Sequence, residues 1–173
     1  MAGNLVQVAT STVTSSTANV DLIGITTDDV YMVAFTNVKP VSDAVQLICR
    51  VTKSSDSSAD TSANYDRAAK NLVTGTFSNE NGANETFTYI SGSQTGTGTG
   101  ETNQGILYLY NFNDSGEYSF ATIETVNRDA GAVHLYGMQG GWVNTVTQSC
   151  NGLSIYFSTG NIASGTFTLY KVI

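Results

Sequence analysis

His134 is the only histidine in the 173-residue sequence, so any acid–base chemistry starts from it or from carboxylates. It alternates with Val133 and Leu135 and therefore projects from the opposite face of a strand, alongside Tyr136. A catalytic triad needs a nucleophile, a histidine and a carboxylate that converge in space. Ser and Asp are abundant, but the Gly-x-Ser-x-Gly turn that exposes a serine nucleophile does not occur, and His134 reads as a structural or surface residue. Asp28 and Asp29 are adjacent and would point to opposite faces of a strand. Glu117 and Glu124, seven positions apart, would also diverge, so neither pair suits glycoside hydrolysis. Asn111, Asn113 and Ser115 place oxygen side chains at alternating positions before Gly116, like the first half of a calcium loop. The leading Asp is missing and the twelfth position is Thr122 instead of a bidentate Glu, so the segment fits a hairpin turn better. The Gly-Thr-Gly-Thr-Gly run at residues 96–100 is followed by no Gly-Lys-Ser/Thr, and no Cys/His cluster suits zinc. The expectation is no catalytic residue, no metal and no cofactor.

Cys49 falls on the same strand face as Val45, Leu47 and Val51 and reads as a buried apolar thiol. Cys150 precedes Asn151-Gly152 and reads as a turn edge. No basic and apolar leader opens the chain, so a disulfide between the two is not expected. The nine tyrosines and single Trp are more informative. Tyr31, Tyr108, Tyr110, Tyr136 and Trp142 are candidate interface anchors, because aromatic side chains bury large areas at protein contacts and stack on sugars. Packing in the core is the alternative for each.

Charged residues make up only 12% of the chain while 40% is hydrophobic, so the polar surface must come from Ser, Thr, Asn and Gly. Thr favours strands and the others favour turns. The net charge of −7 and pI near 4.3, with scattered Lys and Arg, argue against grasping a phosphate backbone. No apolar run approaches the roughly 18 residues of a membrane helix. Nucleic acid and membrane are therefore not expected partners.

The elements follow from period-2 alternation. Residues 5–8 and 20–25 open as strands. Residues 30–38 and 106–110 are apolar on both faces, which suits central strands covered on both sides. Pro40 ends the first of these. Residues 44–53, 65–73, 87–90, 117–126 and 133–138 add further strands. Residues 54–63 (SSDSSADTSA) and 78–84 read as loops, and residues 92–105 as a flexible stretch or one draped over a neighbour. Gly140-Gly141-Trp142 reads as a bend. Near the end, Leu153, Ile155 and Phe157 share one face, and Phe167 and Leu169 repeat the pattern. Roughly ten strands with no long helical stripe predict one all-β domain over residues 1–173, an antiparallel β-sandwich of jelly-roll type.

The wording of the chain carries more than its periodicity. The ending FSTGNIASGTFTLYKV, the opening stretch from Leu5 to Val51 with DLIGI and Asn37-Val38-Lys39-Pro40-Val41-Ser42-Asp43, the strand GILYLYN and the bend Met138-Gln139-Gly140-Gly141-Trp142 resemble a β-sandwich module of tailed-bacteriophage virion proteins. The resemblance spans nearly the whole chain and is strongest at the ending. It implies a virion structural protein, assembled in the host cytoplasm, as a capsid decoration or cement protein or a head-fibre subunit. The alternative it leaves open is a tail-fibre module that binds host surface glycans. It implies contact with other virion proteins such as the capsid and, by analogy with other virion jelly rolls, a homo-oligomer with three copies favoured.

Overall fold

The computed structural model describes residues 4–173, so the first three residues of the expected domain lie outside it. Twelve strands follow one another: β1 (Leu5–Val13), β2 (Asn19–Ile23), β3 (Tyr31–Pro40), β4 (Leu47–Lys53), β5 (Tyr65–Val73), β6 (Thr76–Glu85), β7 (Thr88–Tyr89), β8 (Asn103–Tyr110), β9 (Ser119–Arg128), β10 (Leu135–Asn144), β11 (Cys150–Phe157) and β12 (Ile162–Val172). They form an eight-stranded sheet in the order β1-β12-β3-β8-β9-β10-β5-β6 and a four-stranded sheet in the order β2-β11-β4-β7. Every pairing is antiparallel. The protein is an all-β antiparallel sandwich. Among the described residues no helix is long and apolar enough to cross a membrane.

Alternation decides what lies between the sheets. On β3, Tyr31, Val33 and Phe35 are buried and register against Leu109, Leu107 and Gly105 of β8. On β12, Phe167 and Leu169 register against Phe35 and Val33, with the Phe35 and Phe167 rings stacked 6.4 Å apart. The small sheet answers with Leu47, Cys49 and Val51 of β4 and Leu153, Ile155 and Phe157 of β11, all in the same buried cluster. The terminal strands β11 and β12 do not pair with each other. The turn between them carries the chain from the small sheet to the large one, where β12 sits between β1 and β3.

Three expectations need correction. Residues 78–84 are not a loop but the middle of β6, paired with β5 from Thr76 to Glu85. This strand is an edge that buries little, so it carries no apolar period to read. Gly140, Gly141 and Trp142 do not bend the chain. They lie inside β10, paired on both sides, because glycines in a strand also serve where neighbouring strands approach closely. Cys150 is not a turn edge but the buried first residue of β11.

The low-complexity stretch before β8 is fastened both to the segment leading into β4 and to the β9–β10 connection. Thr95 exchanges main-chain hydrogen bonds with Val45, and the buried Glu101 accepts from the Gly98 and Gly131 amides. It leaves the outer face of β3 and β8 uncovered by these contacts.

Because β12 fills the gap between β1 and β3, deleting residues 167–173 should abolish the cooperative melt seen by circular dichroism. Phe167→Ala should lower unfolding stability by about 3–5 kcal/mol in a denaturant titration. A truncation that melts like the intact chain would overturn this placement of β12.

Candidate functional site

The eight-stranded sheet has an inner face in the core and an outer face turned away from it. Registers place the outward residues in rows across β6, β5, β10, β9 and β8. One row runs Phe77, Leu72, Gly137, Val126, Gln104. The next runs Lys70, Gln139, Glu124, Ile106, and a third runs Ala68, Gly141, Thr122, Tyr108. A fourth brings Asp66, Val143, Phe120 and Tyr110 together. Phe77, Leu72, Phe120, Val126 and Leu135 are all exposed.

Glycines in these rows make two depressions. One of about 510 Å³ lies over Gly141 and is walled by Ala68, Tyr110, Phe120, Thr122 and Val143, with Asp66 at its rim. A side chain could not occupy this floor, since a Cβ on Gly141 would come within 2.9 Å of the Ala121 carbonyl oxygen. The second, of about 440 Å³, lies over Gly105 and Gly137 between Ala34, Ile106, Leu72 and Val126, with Gln104, Glu124 and Gln139 at its rim. Both volumes fall in the range of ligand and anchor-residue sites, but their walls are mainly apolar. Asp66 Oδ1 accepts the Asn84 amide at 2.8 Å, which fixes the rim.

On the opposite side of the same strands, the buried Arg67 donates to Glu80 and Glu85, each at 2.8 Å. Its guanidinium lies 4.6 Å from the centre of the Tyr89 ring. A buried charge persists only when it is paired and hydrogen-bonded, and here the pairing ties edge strand β6 to β5 and to β7.

The five aromatic candidates separate. Tyr108 and Tyr110 stand half-buried on the outer face of β8. Tyr31 and Trp142, 1% and 3% exposed, belong to the core. Trp142 meets Tyr65 and Phe112 there with ring centres 6.2 Å away in each case, and Tyr31 shares its hydroxyl with Thr27 at 2.8 Å. Tyr136 has the inward parity of Met138 on β10, beneath Gly92, so it too is off the outer face. Strand parity relative to a sheet that only folding defines decides these three. The exposed Phe120, Leu72 and Phe77 were not singled out from the sequence, although Phe120 and Val126 have the opposite parity to Ala121 and Ile123 and thus make β9 apolar on both faces.

The remaining polar groups are held in turns. His134 Nδ1 lies 3.2 Å from Asp129 Oδ2, and its ring meets Tyr136 edge-on. Burial alone would raise the Asp129 carboxyl, but the His134 and Val133 amides outweigh it and hold the group below the usual range. Burial likewise opposes ionisation of Asp60, yet donors from Ser62 and Gln148 keep it low. Asp29 is lowered by Lys171, whose Nζ is 2.6 Å away. Asn111 adopts a positive φ of 59° and Asp114 Oδ1 accepts the Gly116 amide, closing the loop between β8 and β9 as a turn. Among the described residues no three His, Cys, Asp or Glu side chains are grouped to hold a metal.

Comparison with known protein families, with curated proteins and with solved structures returns no match.

Both cysteines are free and buried. Desolvation pushes the Cys49 thiol far up and Cys150 to about 11. Since the thiolate is the reactive form, an Ellman titration should find neither thiol in the native protein and both in guanidinium. Rapid reaction of one native thiol would contradict this burial. Calcium or EDTA should leave the melting temperature unchanged, because the Asn111–Gly116 turn is already closed by its own hydrogen bonds. A rise of several degrees with calcium would show a native-state ligand.

Proposed function

We propose that this chain is a structural subunit of a tailed-phage virion, a capsid decoration or head-fibre protein that assembles through sheet faces. The observation that carries this reading is the glycine-dimpled outer face of the large sheet, where Phe77, Leu72, Val126, Leu135 and Phe120 stand exposed on either side of a polar row, since exposed apolar side chains gathered on one face mark protein contact sites. The strand order supports the jelly-roll part of the reading. With β5–β6 and β9–β10 set aside, the remaining strands form sheets β1-β12-β3-β8 and β2-β11-β4-β7, between which the chain repeatedly crosses. The resemblance in the opening and closing segments supports the virion setting, with assembly in the host cytoplasm and a homo-oligomer as the working form.

A second reading is a tail-fibre module that binds host glycans. It is favoured by the placement of Tyr110, Phe120 and Asp66 around one depression, where rings could stack on a sugar and a carboxylate could accept its hydroxyls. The mainly apolar walls fit a protein side chain better than a sugar.

Antibody labelling of particles purified from lysates in which the chain is made separates the readings. Dense labelling over the head is the expected result. A few copies at the tail would favour the glycan reading, and unlabelled particles would overturn both.

A further inference from the structure

We infer that the outer face of β8, β9, β10, β5 and β6 seats a second copy of this chain, related by a two-fold axis. This rests on the assembling-subunit reading and names the surface it uses. The pairing is two-fold, where the virion resemblance implies a trimer.

The first argument is shape. Phe77, Leu135 and Phe120, at 72%, 52% and 44% exposed, project from the same face that carries the depressions over Gly141 and over Gly105 and Gly137. Projections and hollows therefore alternate on one surface. A two-fold contact brings the same patch of both copies together, so a projection of each copy can be set over a hollow of the other. Depressions of about 510 and 440 Å³ accept an aromatic or leucine side chain.

The second argument is charge. The chain carries a net −7, so two copies repel through most of their surface. On this face the charged outward residues are Asp66 and Glu124 against Lys70 and Arg128, which sum to zero. Lys70 and Glu124 share one row, separated by Gln139. A two-fold axis lying along β10 through Gln139 exchanges β5 with β9 and sets Lys70 of each copy over Glu124 of the other. A strongly basic or acidic partner would find no complementary field here, whereas an identical neutral face does.

The third argument is size. Five strands spaced by ~4.8 Å, each presenting about eight residues at ~3.3 Å, make a plate of ~600 Å² before side-chain relief is counted. That is near the ~800 Å² per partner of a stable interface.

The test is the mass of the full chain by sedimentation equilibrium at micromolar concentration. Twice the chain mass of 18.3 kDa is expected. Phe120→Lys and Phe77→Lys change exposed side chains, so each should keep the native circular dichroism while weakening pairing by at least about tenfold, as charges placed in an apolar contact do. Val41→Lys, at an exposed position beyond the end of β3, should leave the mass unchanged. A monomeric wild type, or a multimer that both face variants leave intact, would overturn the inference. The two readings fail separately. A monomer that still labels phage heads removes the pairing and keeps the virion role, and a dimer absent from particles does the reverse.

Discussion

Nine registered pairs join β10 to β5, from Tyr136 opposite Val73 to Asn144 opposite Tyr65. The two strands are some seventy residues apart in the chain, and each belongs to its own hairpin, β5 with β6 and β9 with β10. Without this seam the β5–β6 hairpin would be a separate flap, since β9 already joins its hairpin to β8, and a lone two-stranded hairpin is marginal in water. With it the two hairpins extend the four strands β1, β12, β3 and β8 into an eight-stranded sheet. The outer face, both depressions and the charge-balanced rows all lie on or beside that extension. Loop-closure entropy opposes a contact of such long range only weakly, because the cost grows with the logarithm of loop length.

The seam is secured on its inner side by polar groups and shaped on its outer side by missing side chains. Arg67 stands opposite Trp142 on β10 and opposite Gly82 on β6, and its pairing with Glu80 and Glu85 holds the edge strand from within. Removing one partner of such a group leaves an uncompensated buried charge, which costs about 3–5 kcal/mol. On the outside, Gly137 and Gly141 leave hollows where other strand residues would fill space. The same two strands thus supply rigidity inward and relief outward. The β6 edge itself is polar and interrupted by a register shift near Arg67, features that discourage open-ended strand pairing. These features favour the proposed face over this edge for association.

The distribution of charge links the fold to its proposed use. The acidic residues lie mostly in turns and on the small-sheet side, for example Asp28, Asp29, Asp43 and Asp56, while β8 and β10 present no charged residue outward. Repulsion between copies disfavours contacts through the acidic turns and leaves the outer face of the large sheet, without acidic residues also on β1, β12 and β3, free of it. Electrostatics of this kind selects a contact more than it strengthens one.

The amino-acid sequence by itself determined the class of fold. Alternation at Tyr31, Val33 and Phe35, at Leu47, Cys49 and Val51, and at Phe167 and Leu169 names strands and their buried faces, because a strand's side chains switch sides at every residue. It also marked residues 30–38 and 106–110 as central strands, since both parities there are apolar. Tertiary structure decided the rest. Residues 78–84 became a strand only because β5 offers a ladder to pair with, a long-range bond that leaves no local period. Tyr31, Tyr136 and Trp142 turned inward while Tyr108 and Tyr110 turned outward, and no local pattern distinguishes the two sides of a strand that is apolar on both. The candidate face exists only where five strands from distant segments fall into register, and register is a property of pairs of strands rather than of either one.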